Sequence, residues 1–136
     1  DNSGWIFREH LFATLLIGMA KNYDSQLSDQ ENIANMFNEG VEAMKKRGKS
    51  DSGEKTMLDV LIPVLNILID CKNETNTKIL ANKVKTVAEK GMLSTKEMLA
   101  TKGRASFLGE RSKGHIDPGA RSSQLAIDAI CNQFID

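Results

Sequence analysis

Apolar positions recur along this chain at helical spacing, in segments parted by short polar stretches, and no segment alternates convincingly as a strand would. The first helix is predicted over about Gly4 to Tyr23, apolar on one side through Phe7, Leu11, Leu15 and Gly18. The second opens where Ser28 and Glu31 have capping-box spacing. It runs through Ile33, Phe37, Val41 and Met44 to a glycine stop near Arg47-Gly48. A polar linker, Gly48 to Lys55, leads to a helix from Thr56 to about Lys72 with the stripe Leu58, Leu61, Ile62, Leu65 and Ile69. Pro63 inside that span predicts a kink or a later start. A fourth helix, about Asn76 to Lys90, places Leu80, Val84, Val87 and Ala88 on one face and stops at Gly91. Ser94 and Glu97 repeat the capping-box spacing and predict a short fifth helix. The last spans about Ser122 to Ile135, with Ile127, Ile130, Cys131 and Phe134 inward. The fold class is all-α, in a single domain over 1–136.

Residues 102–121, Lys-Gly-Arg-Ala-Ser-Phe-Leu-Gly-Glu-Arg-Ser-Lys-Gly-His-Ile-Asp-Pro-Gly-Ala-Arg, break the helical pattern and hold four of the ten glycines and one of the two prolines. So long a loop in a compact domain is often functional. Its glycines, 103, 109, 114 and 119, permit close backbone approach and positive φ. Arg104, Arg111, Lys113 and Arg121 can neutralise phosphate charge. Asp117-Pro118-Gly119 has the chemistry of a tight turn. Ala120 to Ser123 then begins the last helix, an end whose free N–H groups suit an anion. A loop of merely solvated charges is the bland alternative to phosphate or nucleotide binding.

Composition narrows the class. The chain has 136 residues, 40% hydrophobic and 26% charged, an ordinary globular mix. Eighteen basic residues balance eighteen acidic ones, and there is one Trp and one Tyr, so neither a general basic footprint nor a stacking platform for nucleic acid is present. Cys71 and Cys131 sit in apolar helical patterns without nearby Cys or His, which favours buried thiols and a cytoplasmic setting over zinc or a disulfide. The longest apolar run, Met57 to Ile69, is interrupted by Asp59 and Asn66 and is too short for a membrane span.

The loop has a more specific likeness. Lys102 to Ala120 resembles the signature K-G-R-A-S-Y-L-G-E-R-S-x-G-H-x-D-P-G of the L subunit of bacterial dihydroxyacetone kinase, with Phe107 in place of the tyrosine. Lys46-Arg47-Gly48-Lys49 and Gly53-Glu54-Lys55-Thr56-Met57-Leu58-Asp59 resemble the same family's R-G-K and G-[DE]-K-T-M-x-D. The likeness extends from about residue 18 to the C-terminus. It implies an antiparallel helical barrel or bundle with ADP or ATP at one end. In the phosphotransferase-system type, a phosphohistidine on an M subunit recharges the bound nucleotide, which then phosphorylates dihydroxyacetone held on a K subunit. Matching positions imply that Gly48 and Met57 line the adenine side and that Arg104 faces the phosphates as the catalytic residue. Asp117, Pro118 and Gly119 would hold sugar and base. His115 would orient the loop; His10 has no assigned role.

Two family elements have no counterpart here. One is the aspartate cluster D-x-x-x-x-D-x-D that holds two Mg2+ ions, expected upstream of the residues present. The other is the loop G-G-A-S-G around the phosphates, expected between Leu16 and Gly18, since Asn2 to Leu16 resembles the helix before it and Ile17 to Tyr23 the helix after it. The chain is therefore expected to lack these segments and to be inactive alone. A non-catalytic homologue that binds a transcription factor or another protein is the alternative.

Overall fold

The computed structural model describes residues 3–101 and 104–135, with side chains from His10 onward except at 104 and 105. Five α-helices form among the described residues, and no strand. They are α1 (Ser3–Ala20), α2 (Asp29–Gly48), α3 (Leu58–Asp70), α4 (Thr77–Ser94) and α5 (Pro118–Asn132). A short 3-10 segment at Thr95–Glu97 and a 3-10 stretch at Arg104–Ser112, broken by a kink at Gly109, lie between α4 and α5. Each helix packs on its successor, and α3 also touches α5; short connections return each helix beside the last, as in an up-and-down bundle.

α3 is the centre. Val60, Val64 and Leu68 join Ala81, Val84, Ala88, Met92, Ala120 and Cys131 in a core toward α4 and α5. Leu58, Leu61 and Leu65 join Leu11, Leu15, Val41, Met44 and Met57 in a second core toward α1 and α2. A helix buried on both sides reads as apolar nearly all round, which is how α3 appears in the sequence. Ile69, expected in its stripe, is largely exposed because it falls beyond both cores. Pro63 lies inside α3, which starts at Leu58 rather than Thr56.

Other boundaries differ for local reasons. The Ser28–Glu31 capping box forms: Glu31 N–H donates to Ser28 Oγ at 3.2 Å, and Ser28 N–H donates to Glu31 Oε2 at 3.0 Å. α2 includes Gly48, and Lys49 takes the left-handed position (φ 49°). Ile33 is exposed and Phe37 half-buried; the buried positions are Asn32, Ala34, Gly40, Val41 and Met44. α4 passes through Gly91 to Ser94, whose Oγ donates back to the Gly91 carbonyl at 2.6 Å, so no second capping box forms.

α5 starts at Pro118, not Ser122. Its inward stripe is Ala120, Ser123, Gln124, Ile127 and Cys131, which leaves Ile130 and Phe134 exposed. α1 is one continuous helix across Leu16 to Gly18, and the side chain of Phe7 lies outside the described residues. Cys71 caps α3 half-buried, Cys131 is buried, and both are free thiols. No helix among the described residues is long and apolar enough to cross a membrane.

Candidate functional site

The connection α2–α3 and the connection α4–α5 meet at one end of the bundle, and Lys55 joins them. Its backbone is left-handed (φ 62°) and its side chain is buried, 5% exposed. Nζ donates to the carbonyl of Thr95 at 2.5 Å and to the carbonyl of His115. Burial pulls the Lys55 ammonium below the usual lysine range, while Asp117 and Glu97 pull it back up.

Asp59, buried in the first turn of α3, holds the loop that carries Lys55. Its Oδ1 accepts from Gly53 N–H at 2.5 Å and its Oδ2 from Thr56 N–H at 2.9 Å. A carboxylate at a helix N-terminus also meets the positive end of the backbone dipoles. The α2–α3 linker is thus fixed at both flanks of Lys55.

Across from it, Thr95 is fully buried; its Oγ1 donates to the Met92 carbonyl at 2.7 Å and accepts from Asp117 N–H at 3.0 Å. Asp117 is the N-cap of α5, its Oδ2 accepting from Ala120 N–H at 2.9 Å, with Pro118 at the first helical position. Gly114 N–H donates to the Lys96 carbonyl at 2.7 Å. Ser112 Oγ accepts from Ala100 N–H at 3.0 Å and donates to the Gly109 carbonyl at 2.8 Å.

The sequence-predicted residues fall as follows. Asp117 and Pro118 open a helix instead of forming a tight turn, because an aspartate N-cap followed by proline starts a helix with the same two residues. Gly119 is buried in the first turn of α5 and has no positive φ; Gly109 (φ 55°) and Gly114 (φ 88°) do. Gly103 lies outside the described residues, and so does the side chain of Arg104, whose backbone opens the second 3-10 segment. Gly48 ends α2, where a Cβ would sit 3.2 Å from Ser50 Oγ and 3.4 Å from Leu11 Cδ2. Met57 is buried in the α1–α2–α3 core at the foot of the Lys55 loop.

Of the other loop cations, Lys113 pairs with Glu110 at 3.2 Å, Arg121 Nη1 donates to Gln124 Oε1 at 3.0 Å, and Arg111 is exposed. The His115 carbonyl accepts from Lys55 Nζ, and His115 is exposed. Lys55, Thr95 and Asp59 have no assigned role in the sequence reading. A lysine in a polar linker reads as a solvated charge, and only its position inside the G-E-K-T-M match singles it out.

Residues 8–132 match the DAK2 domain. This chain belongs to the DAK2 family. It is 45% identical over 120 residues to the ADP-binding subunit of PEP-dependent dihydroxyacetone kinase 1 of Listeria innocua, covering 88% of this chain and 56% of that protein. It is 40% identical over 122 residues to the Escherichia coli ADP-binding subunit of PEP-dependent dihydroxyacetone kinase (88% and 58%). The figure is 38% over 121 residues for the ADP-binding subunit of the PTS-dependent dihydroxyacetone kinase of Lactococcus lactis (88% and 55%). The DAK2 chain thus spans somewhat over half the length of these curated relatives. Among its described residues, no group of three or more His, Cys, Asp or Glu is placed to hold a metal ion.

Proposed function

We propose that this chain carries the adenine-nucleotide end of a dihydroxyacetone kinase L subunit. ADP would accept a phosphoryl group from a phosphohistidine N–P bond on an M subunit to become ATP. The γ-phosphoryl would then pass to a hydroxyl of dihydroxyacetone on a K subunit, regenerating ADP. The observation that carries this reading is the junction of the two nucleotide-motif stretches at one end of the bundle, through Lys55, Thr95 and Asp117.

In this reading Asp117, Pro118 and Gly119 take the sugar and base. Gly48 and Met57 form the adenine side, and Arg104 meets phosphate with its forked donors. The chain's part in transfer is positioning and charge stabilisation rather than covalent chemistry.

The 38–45% identity to ADP-binding kinase subunits supports this reading over a non-catalytic, protein-binding homologue. ADP affinity tests it. Arg104→Ala is expected to weaken ADP binding about tenfold or more, the loss of a charged hydrogen-bonding partner. Asp117→Asn preserves an N-cap, since asparagine caps as well as aspartate, and isolates the loss of charge. Unchanged ADP affinity in both variants contradicts the assignment.

A further inference from the structure

We propose that Lys55 is a positioning residue of the nucleotide site, a buried cross-brace that sets the loop before α5 against the loop before α3. This rests on the nucleotide reading above. Four observations carry it.

First, Lys55 reaches across the bundle end to two backbone carbonyls, Thr95 and His115, that belong to different segments. A side chain that bridges two connections fixes their spacing, which neither loop can do from its own short-range bonds.

Second, one of those acceptors feeds directly into the Asp117 cap. The residue whose carbonyl receives Lys55 also supplies the hydroxyl that receives Asp117 N–H, and Asp117 in turn holds Ala120 N–H. His115 lies two positions before Asp117. Lys55 therefore grips both sides of the segment that starts α5.

Third, the brace is built at a cost. The lysine is 5% exposed, holds a left-handed backbone, and is kept there by the two amides bound to Asp59. Non-glycine residues in that region carry strain of about 1–2 kcal/mol, and burying an ammonium is unfavourable without good partners. A linker needed only to join two helices requires neither feature.

Fourth, Asp117 and Glu97 are the carboxylates whose charge acts on the Lys55 ammonium, so the brace is coupled electrostatically to the residue assigned to the nucleotide sugar. Arginine is too broad and forked to reproduce two single-point contacts fully, yet it retains charge and donors.

The test uses the full chain with ADP as the probe, reading affinity and amide exchange together. Lys55→Met keeps the aliphatic stem and removes the donors. The expected result is ADP binding weakened about tenfold or more and faster exchange at Asp117 and Gly114. Protection at Val41 and Met44 should stay unchanged, and Lys55→Arg should regain part of the affinity. Native-like ADP affinity in Lys55→Met overturns the proposal, whether or not the amides exchange faster. Failure of the native chain itself to bind ADP sinks the nucleotide reading instead, and the positioning role with it. If Lys55→Met does not fold, Lys55→Gln and Lys55→Arg decide: weakened ADP binding in the first, where the polar side chain is too short to span both carbonyls, with part regained in the second supports the brace, and native-like binding in Lys55→Gln overturns it.

Discussion

Gly91 in α4 lies directly against the carbonyl of Asp59 in α3: a Cβ at Gly91 would overlap that oxygen and come 3.2 Å from Val60 Cα. Four residues beyond Asp59 stands Pro63, which has no N–H to offer that carbonyl. The two helices approach closely where one has lost its side chain and the other its internal donor. The same Asp59 fixes the Lys55 loop through its carboxylate, so this contact also sets the base of the candidate site.

Gly91→Ala therefore has to push α4 away from α3. It is expected to destabilise the chain by about 1–3 kcal/mol, the usual range for overpacking, despite alanine's higher helix propensity. Urea unfolding measures it. A gain in stability would show that the helices part without strain.

The two S-x-x-E sites make an internal control for capping. Ser28→Ala removes a formed cap and is expected to cost about 1 kcal/mol. Ser94→Ala removes only a hydroxyl that bonds back to Gly91 within α4, an interaction that favours the helix little, and should change stability by less than Ser28→Ala does. Equal losses by thermal or urea unfolding would contradict this distinction.

The thiols should differ in reactivity. Burial pushes the Cys131 thiol up from its ordinary 9.0, Asp128 adds to this and Lys85 opposes it, whereas Cys71 is half-buried at a helix end. A thiol-specific disulfide reagent should modify Cys71 first. The folded state holds the Cys131 proton above the unfolded pKa, so this group's contribution is complete below about pH 9 and is lost as pH rises through its folded pKa. Lys55 acts oppositely: its folded pKa is lowered, so its titration adds stability as pH rises through that pKa toward 10.5. Between about pH 8 and about pH 10, Cys131→Ala should lose less stability than the native chain. An identical pH profile would exclude the Cys131 contribution.

The five long helices, their order and most inward faces are legible in the sequence because they follow from apolar spacing, as at Leu11, Leu15, Val41, Met44, Val84 and Ala88; the short helix expected after Ser94 is only a 3-10 turn, Thr95–Glu97. Stops and starts are less so, because one residue type serves several ends. Gly91 has the composition of a helix stop and is a packing contact, a fact that exists only once Asp59 lies opposite. Asp117-Pro118 suits a turn and a helix start equally; the inward stripe of α5 runs through Ala120, Ser123, Gln124, Ile127 and Cys131, and Ile130 and Phe134 fall outside it. Motif matching marks both stretches of the candidate site. Their junction is not legible, because Lys55 reaches acceptors 40 and 60 residues away, and nothing local distinguishes it from a solvated lysine.

Titration of the isotope-labelled full chain with ADP, followed amide by amide, tests the central claim most directly. The account predicts saturable shifts concentrated at residues 53–57, 95–100 and 114–121, the end of the bundle where Lys55 joins the two loops. No shifts, or shifts confined to the opposite end at residues 21–28 and 71–76, would contradict it.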